Sequence, residues 1–218
     1  MRARLPIVVL ISGGGTNLQA IIDAAKDDLP VEIKAVISNQ PDAYGLERAR
    51  RANIPVAILD HRQFPNRESF DTALARLIDS YQPRLVLLAG FMRILTPGLV
   101  RHYHGRMLNI HPSLLPDFQG LHTHQRVLEA GARKHGASIH FVTEELDGGP
   151  IIIQASVPVL PDDDAETLAA RVLQKEHVIY PLAVRWFAQD RLSLNGKDQV
   201  VLDGEVLNST VQLEQAPA

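Results

Sequence analysis

Short unbroken apolar runs alternate along this chain with stretches whose apolar residues recur every three or four positions, and nothing else narrows the possible folds as much. Pro6 to Ser12 is the first such run and reads as a buried parallel strand, with a helix after it over Thr16 to Lys26. Further strands are expected over Val31 to Ser38, Val56 to Leu59, Leu85 to Ala89 and Met107 to His111. Between them fall helices at Ala43 to Ala52, with a solvated basic face, at Arg67 to Tyr81, and at Pro97 to Tyr103. The middle one carries the stripe Phe70, Ala73, Leu74, Leu77 and Ile78. Strand and helix in strict turn imply a parallel sheet with helices over its faces.

After a helix at His122 to Ala130 the pattern changes. Ala137 to Thr143 and Ile151 to Val159 are β-rich and separated only by a turn-prone loop, which predicts an antiparallel pair. A long helix over Ala165 to Ala188 follows, then a hairpin within Leu192 to Leu202 around Asn195-Gly196, then ten residues expected to fray. No repeat, linker or low-complexity tract interrupts the chain. The expectation is a single α/β domain with a mixed, mostly parallel sheet flanked by helices, doubly wound in its first half.

Composition removes several classes of function. A net charge of -3 leaves no electrostatic footprint for nucleic acid or an anionic membrane. With no cysteine, disulfides, thiolate catalysis and cysteine metal sites are excluded. Arg2 and Arg4 before Leu5 to Ile11 imitate a short signal peptide, but Ser12-Gly13-Gly14-Gly15 lacks the small-x-small cleavage pattern and an amphipathic helix follows at once. A first buried strand is the preferred reading. No apolar run approaches the ~20 residues of a membrane helix. A cytoplasmic protein is expected.

The chemistry concentrates between Met107 and Asp147. In Met107-Leu-Asn-Ile-His111 the polar Asn109 and His111 alternate with Leu108 and Ile110, so both side chains share one face of a strand. Pro112 ends that strand. An amide and an imidazole at a strand's end stand where α/β proteins usually place their chemistry. Asp147, between Leu146 and two glycines, is the nearest good carboxylate to charge the imidazole. The bland alternative is a buried Asn-His pair satisfied by backbone, with Asp147 in a plain turn. Polar groups in such a place are costly unless paired, which favours function.

Ser12-Gly13-Gly14-Gly15-Thr16-Asn17 joins the first strand to the first helix. Glycines there let amides approach an anion, and the helix start favours negative charge. A dinucleotide fingerprint fails because position 18 is Leu18 and Asn39 stands where an acid belongs. A triphosphate loop fails for want of a lysine followed by Ser or Thr. A phosphate-monoester cradle survives, with Thr16 and Asn17 as donors, beside the alternative of a tight turn capped by Thr16.

Other constellations carry less. Among nine histidines, His122-Thr-His124 and His102-Tyr-His104 have a spacing that suggests a metal, but no third ligand stands at compelling spacing, and no metal is expected. His140 either shares the cleft of His111 or is a hydrogen-bonded structural histidine. Gly90-Phe-Met-Arg-Ile-Leu95 follows the fourth strand, and its apolar residues line a flat heterocycle pocket or pack under the next helix. No Gly-x-Ser-x-Gly elbow occurs.

Asn109-Ile-His111-Pro-Ser-Leu-Leu-Pro116, followed by Gly136-Ala-Ser138-Ile-His140-Phe-Val-Thr-Glu-Glu-Leu-Asp147-Gly-Gly, resembles the formyltransferases that use 10-formyltetrahydrofolate. With Gly13-Gly-Gly15-Thr-Asn17-Leu-Gln and Gly90 to Leu95 added, the resemblance is to the branch that formylates glycinamide ribonucleotide in purine biosynthesis, over about residues 7 to 190. It implies a Rossmann-like formyltransferase fold and a catalytic group of Asn109, His111 and Asp147. It implies that Gly15, Thr16 and Asn17 hold the ribonucleotide phosphate and Glu176 the ribose. Arg67, Met92, Arg93, Ile94, Leu95, Asn109, Thr143, Glu144, Glu145, Leu146 and Asp147 would then bind the reduced folate. A phosphate-binding half would span about residues 1–105, a catalytic and folate half about 106–190, and a C-terminal hairpin and tail 191–218. Two departures stand out: Gly14 where asparagine is frequent, and Asp117 where a basic or small residue is common. A cis Leu115-Pro116 bond is also implied.

The resemblance implies attack of a neutral amine on the formyl carbon, with Asn109 and an imidazolium at His111 donating to the oxyanion and Asp147 keeping the ring charged. The implied partners are small molecules, with no nucleic acid and no membrane, acting on a monomer or homodimer. Rival readings are a formyltetrahydrofolate hydrolase, a methionyl-tRNA formyltransferase and a non-catalytic folate or nucleotide sensor. The first normally adds an N-terminal regulatory domain, whereas this chain is expected to start at its first strand, and the second a C-terminal RNA-binding domain, for which neither room nor a basic patch is expected here. A sensor has no need of Asn109, His111 and Asp147.

Overall fold

Seven residues with no ionisable group among them, Leu5–Ile11, form the first strand, β1, and all but Pro6 are buried. Only a strand with neighbours on both sides and helices on both faces tolerates such a run. The structure, a computed structural model describing residues 4–213, divides into two compact units, one up to Asn109 and one from Ile110.

In the first unit β1 lies between two parallel partners. Val9 pairs with Val36 of β2 (Val31–Ser38) and with Leu87 of β4 (Leu85–Leu88). β3 (Val56–Ile58) extends the sheet beyond β2, and Met107 to Asn109 of β5 (Met107–His111) pair with β4. The helices are α1 (Thr16–Asp27), α2 (Tyr44–Arg51), α3 (Arg67–Ser80) and α4 (Pro97–His102). Chain order therefore runs outward from β1 to β3 on one side and resumes at β4 on the other. The loops after β1 and β4 leave that switch point together, where an open α/β sheet has its natural crevice.

In the second unit β6 (Lys134–Phe141) and β7 (Ile151–Pro158) pair antiparallel, with Ser138 opposite Gln154 and a register irregularity between Ile139 and His140. The 24-residue α6 (Ala165–Ala188) packs on both strands and starts from a capping box in which Asp164 and Thr167 satisfy each other's backbone. α5 is Thr123–Glu129. β8 (Leu192–Leu194), β9 (Val200–Leu202) and β10 (Glu205–Val206) make a separate three-stranded sheet, and β11 (Val211–Gln212) pairs parallel with Ile153 and Gln154 of β7. The fold is thus α/β, with a mixed, mostly parallel sheet and flanking helices. Among the described residues no helix is long and apolar enough to cross a membrane.

Three expectations need correction. β6 begins at Lys134, three residues ahead of the apolar signal, because Gly136 lets the partner come close; a side chain there would meet the Ala155 carbonyl oxygen. The final ten residues do not all fray, since Val211 and Gln212 pair with β7; residues 214–218 lie outside the described residues. The basic face of α2 is solvated at Arg50 and Arg51 but not at Arg48, which is half-buried and bonded to the chain before it.

Candidate active site

β5 ends in the second unit at His111, 5% exposed, and Pro112 turns the chain away. The ring's Nε2 lies 3.0 Å from the Phe118 carbonyl oxygen and its Nδ1 lies 3.4 Å from Asp147 Oδ2. Each ring nitrogen thus has an oxygen beside it, a main-chain carbonyl at Nε2 and a carboxyl oxygen at Nδ1. The Asp147 side chain, 9% exposed, also accepts from the Gly120 amide at 2.9 Å. Its backbone carbonyl takes the Gln119 side-chain amide at 3.3 Å.

Two loops hold this arrangement, and both contain residues in the left-handed region. Phe118 has φ 55°, Gly120 80°, His122 57° and Asp147 50°. A bulky residue at positive φ costs free energy and persists only where its surroundings fix it. Around Phe118 those surroundings are the Arg126 guanidinium 5.6 Å from its ring centre, the Arg126 bond to Gln119 O at 2.6 Å, and the Ser113 hydroxyl on Asp117 O at 2.6 Å. Leu115-Pro116 is cis, as the resemblance implied. Its flanks are fixed by Ser138 Oγ, which accepts from Leu115 N–H, and by Gln154 Nε2, which donates to Leu115 O at 2.8 Å. In the other loop Gly149 comes so near β6 that a Cβ would strike the Phe141 carbonyl oxygen.

His140 proves to be both things its position allowed. Its Nδ1 lies 2.9 Å from Phe141 O, and its Nε2 lies 3.8 Å from Asp147 Oδ1, too long for a direct hydrogen bond. Burial holds its pKa below the usual value. His124 Nδ1 and His135 Nε2 lie 3.0 Å apart, within hydrogen-bond distance. Burial lowers the pKa of both, His135 to about 4, with nearby histidine charge adding to the effect. Among the described residues no group of three or more side chains is arranged to hold a metal. His124 turns to His135, and His102 pairs with Asp79 at 2.8 Å.

In the first unit the glycine loop is shaped by backbone. Gly15, at φ 70°, is itself the cap of α1, and no side chain caps that helix; Thr16, the cap in the alternative tight-turn reading, is its first residue. A Cβ on Gly15 would sit 2.7 Å from Gly45 Cα, so the loop lies directly on the start of α2. Gly45 N–H donates to Gly13 O at 3.0 Å, and Arg48 Nε donates to Gly14 O at 2.8 Å. Asn17 is buried and Thr16 half-buried. Helix-start amides with no side-chain cap form an anion site in general terms.

The loop after β4 leaves Met92 65% and Ile94 56% exposed while Phe91 is buried. Arg93 stacks over the Phe70 ring at 5.5 Å. The loop ends at Thr96, whose N–H is accepted by Asp71 Oδ2 at 2.5 Å. Asp71 is 3% exposed, and burial pushes its carboxyl pKa up against the pull of Arg93 and Arg67. Arg67 itself is exposed at the start of α3.

Of the anticipated residues, the structure brings His111 and Asp147 together in the second unit, and strand alternation sets half-buried Asn109 on the face of β5 that carries His111. Thr143, Glu144, Glu145 and Leu146 lie in the same loop as Asp147, the last three exposed. Glu176, 6% exposed, lies within α6. Sequence reading missed Phe118 O and Gly120 N–H, which act through backbone and leave no residue-type signal. It also missed Asp71, although a buried acid one place after Phe70 on the helix stripe was a signal of sorts.

Residues 5–184 match the model of the family described as formyl transferase. The phosphoribosylglycinamide formyltransferase of Escherichia coli (strain K12) is 55% identical over 202 residues, covering 92% of this chain and 95% of its own. The trifunctional purine biosynthetic protein adenosine-3 of Drosophila pseudoobscura pseudoobscura is 47% identical over 192 residues, 87% of this chain and 14% of that protein. A solved phosphoribosylglycinamide formyltransferase from Coxiella burnetii superposes with a TM-score of 0.92 at 54% identity, covering 96% of this chain and 99% of that one. With a family match over most of its length and relatives this similar, the chain belongs to the formyl transferase family.

Proposed function

We infer that this enzyme transfers the formyl group of 10-formyltetrahydrofolate to the amine of glycinamide ribonucleotide, giving N-formylglycinamide ribonucleotide in purine biosynthesis. The observation that carries the reading is the buried His111–Asp147 pair within a member of this family. The amine attacks the formyl carbon, forming a C–N bond and an oxyanion. The bond from that carbon to the folate nitrogen then breaks, the amine losing one proton and the folate nitrogen gaining one. Asn109 and the His111 imidazolium donate to the oxyanion. The ring hydrogen that faces Phe118 O is the one to be handed over, first to the oxyanion and then to the leaving nitrogen. Asp147 keeps the ring charged and accepts the amine proton, directly or through a water.

Gly15, Thr16 and Asn17 take the phosphate monoester, supported by a start of α1 that no side chain caps, and Glu176 takes the ribose. Met92 to Leu95, Arg67, Asn109 and Thr143 to Asp147 take the folate, supported by the exposure of Met92 and Ile94. On this reading residues 1–105 serve the phosphate, 106–190 the chemistry and folate, and 191–218 form the closing hairpin and tail. The protein works in the cytoplasm on small molecules, as a monomer or homodimer, with no metal.

The test is formyl transfer followed by folate absorbance, with and without the ribonucleotide. His111→Ala and Asp147→Asn should each lower turnover by about 10²–10³-fold, the range for losing one oxyanion donor, with folding intact. Asparagine tolerates the left-handed backbone of position 147, so the second variant isolates the charge. Near-normal turnover in either variant removes the assignment; donor consumption that ignores the ribonucleotide makes the protein a hydrolase.

A further inference from the structure

The side chain of Ser12 joins two loops that the preceding reading gives to different substrates. Its hydroxyl donates to Asn39 Oδ1 at 2.5 Å and accepts the Met92 amide at 2.8 Å. Its own amide donates to Gly90 O at 3.0 Å. Ser12 is thus the first residue of the glycine loop and the anchor for the start of the loop after β4, at the switch point of the sheet.

Ser12 Oγ thus takes the Met92 amide and gives its single hydrogen to Asn39 Oδ1, while Asn39 Nδ2 and the Asn39 carbonyl oxygen each lie 3.1 Å from His61 Nδ1. Asn39 is 2% exposed, so its side chain is enclosed between Ser12 and His61. The hydroxyl is held at both ends, so the glycine loop and the start of the loop after β4 share one hydrogen-bonded group.

We propose that Ser12 is a positioning residue that fixes the phosphate cradle and the folate loop to one another, so that removing one hydroxyl in contact with neither substrate weakens both. The proposal rests on the assignment of those loops given above. Ser12→Ala removes the Asn39 and Met92 bonds, and Asn39→Ala removes only the far support.

The experiment measures binding of glycinamide ribonucleotide and, separately, of a deformylated folate analogue by calorimetry, with turnover and melting temperature recorded for each protein. In Ser12→Ala both dissociation constants are expected to rise, each about three- to tenfold, with kcat changed less. Asn39→Ala should move both in the same direction by less. A second readout needs no catalysis: ribonucleotide alone should shift the Met92 amide resonance in the wild type and fail to do so in Ser12→Ala. A rise in one constant only, or a lower melting temperature with both constants unchanged, overturns the proposal. If Ser12→Ala does not fold, Asn39→Ala decides by the same criterion. Should the wild type bind neither ligand, the functional reading itself falls; a wild type that binds and turns over both, with an unshifted Met92 amide, sinks only the coupling.

Discussion

His111 is held between two acceptors, and one of them is a main-chain carbonyl that no mutation of Phe118 side-chain chemistry would delete. The position of that carbonyl depends on a phenylalanine at φ 55°, so the loop stores conformational cost where the ring must be aimed. Gly15 shows the same dependence in the first unit. At φ 70°, with Gly45 Cα in the way of any Cβ, it admits no side chain without moving the loop from α2. Gly15→Val is therefore expected to weaken ribonucleotide binding by at least tenfold while leaving folate affinity less changed, as titration of each ligand will reveal. Unchanged ribonucleotide affinity would remove the cradle from this loop.

At the scale of elements, position in the chain was readable wherever periodicity was strong. β2, β5 and α6 fall on the expected residues because apolar runs and stripes report burial, and burial is what makes those elements. The start of β6 was not readable, because Lys134, His135 and Gly136 join it through backbone pairing alone. Asn109 and His111 stood out as costly polar residues at a strand end, and Asp147 as the nearest carboxylate to charge the ring. Ser12 and Asn39 did not, since small polar residues after a strand are ordinary in turns. Asp71 likewise gains its meaning only from the Thr96 amide it accepts at the start of α4. Its carboxyl pKa is raised by burial, so the charged form is disfavoured in the fold, and any stabilisation tied to the proton is lost as pH rises through the folded value. Asp71→Asn, which keeps an acceptor without the charge, should match or exceed wild-type stability at pH 7 in urea denaturation. Asp71→Ala should lose about 1–2 kcal/mol. Equal losses in the two variants would show that the charge, not the acceptor, matters there.

For the molecule as a whole, acid is the expected weakness. His124, His135 and His140 are all held below the ordinary histidine value, chiefly by burial. An unfolded chain takes up protons on these rings that the folded one refuses, so their contribution is complete above about pH 6.5 and is lost as pH falls toward the folded values. For His135 the window runs from 6.5 to about 4. Denaturation midpoints measured from pH 7 down to pH 4 should fall steadily, and His135→Gln should flatten the slope. A flat profile in the wild type would contradict the burial argument. The far end of the described chain bears on a different hazard. β7 has eight residues, and on the side away from β6 its ladder partners are Val211 and Gln212 of β11. That short strip occupies backbone groups at two of the eight residues, which shortens the stretch of β7 open to edge-to-edge pairing with a foreign strand.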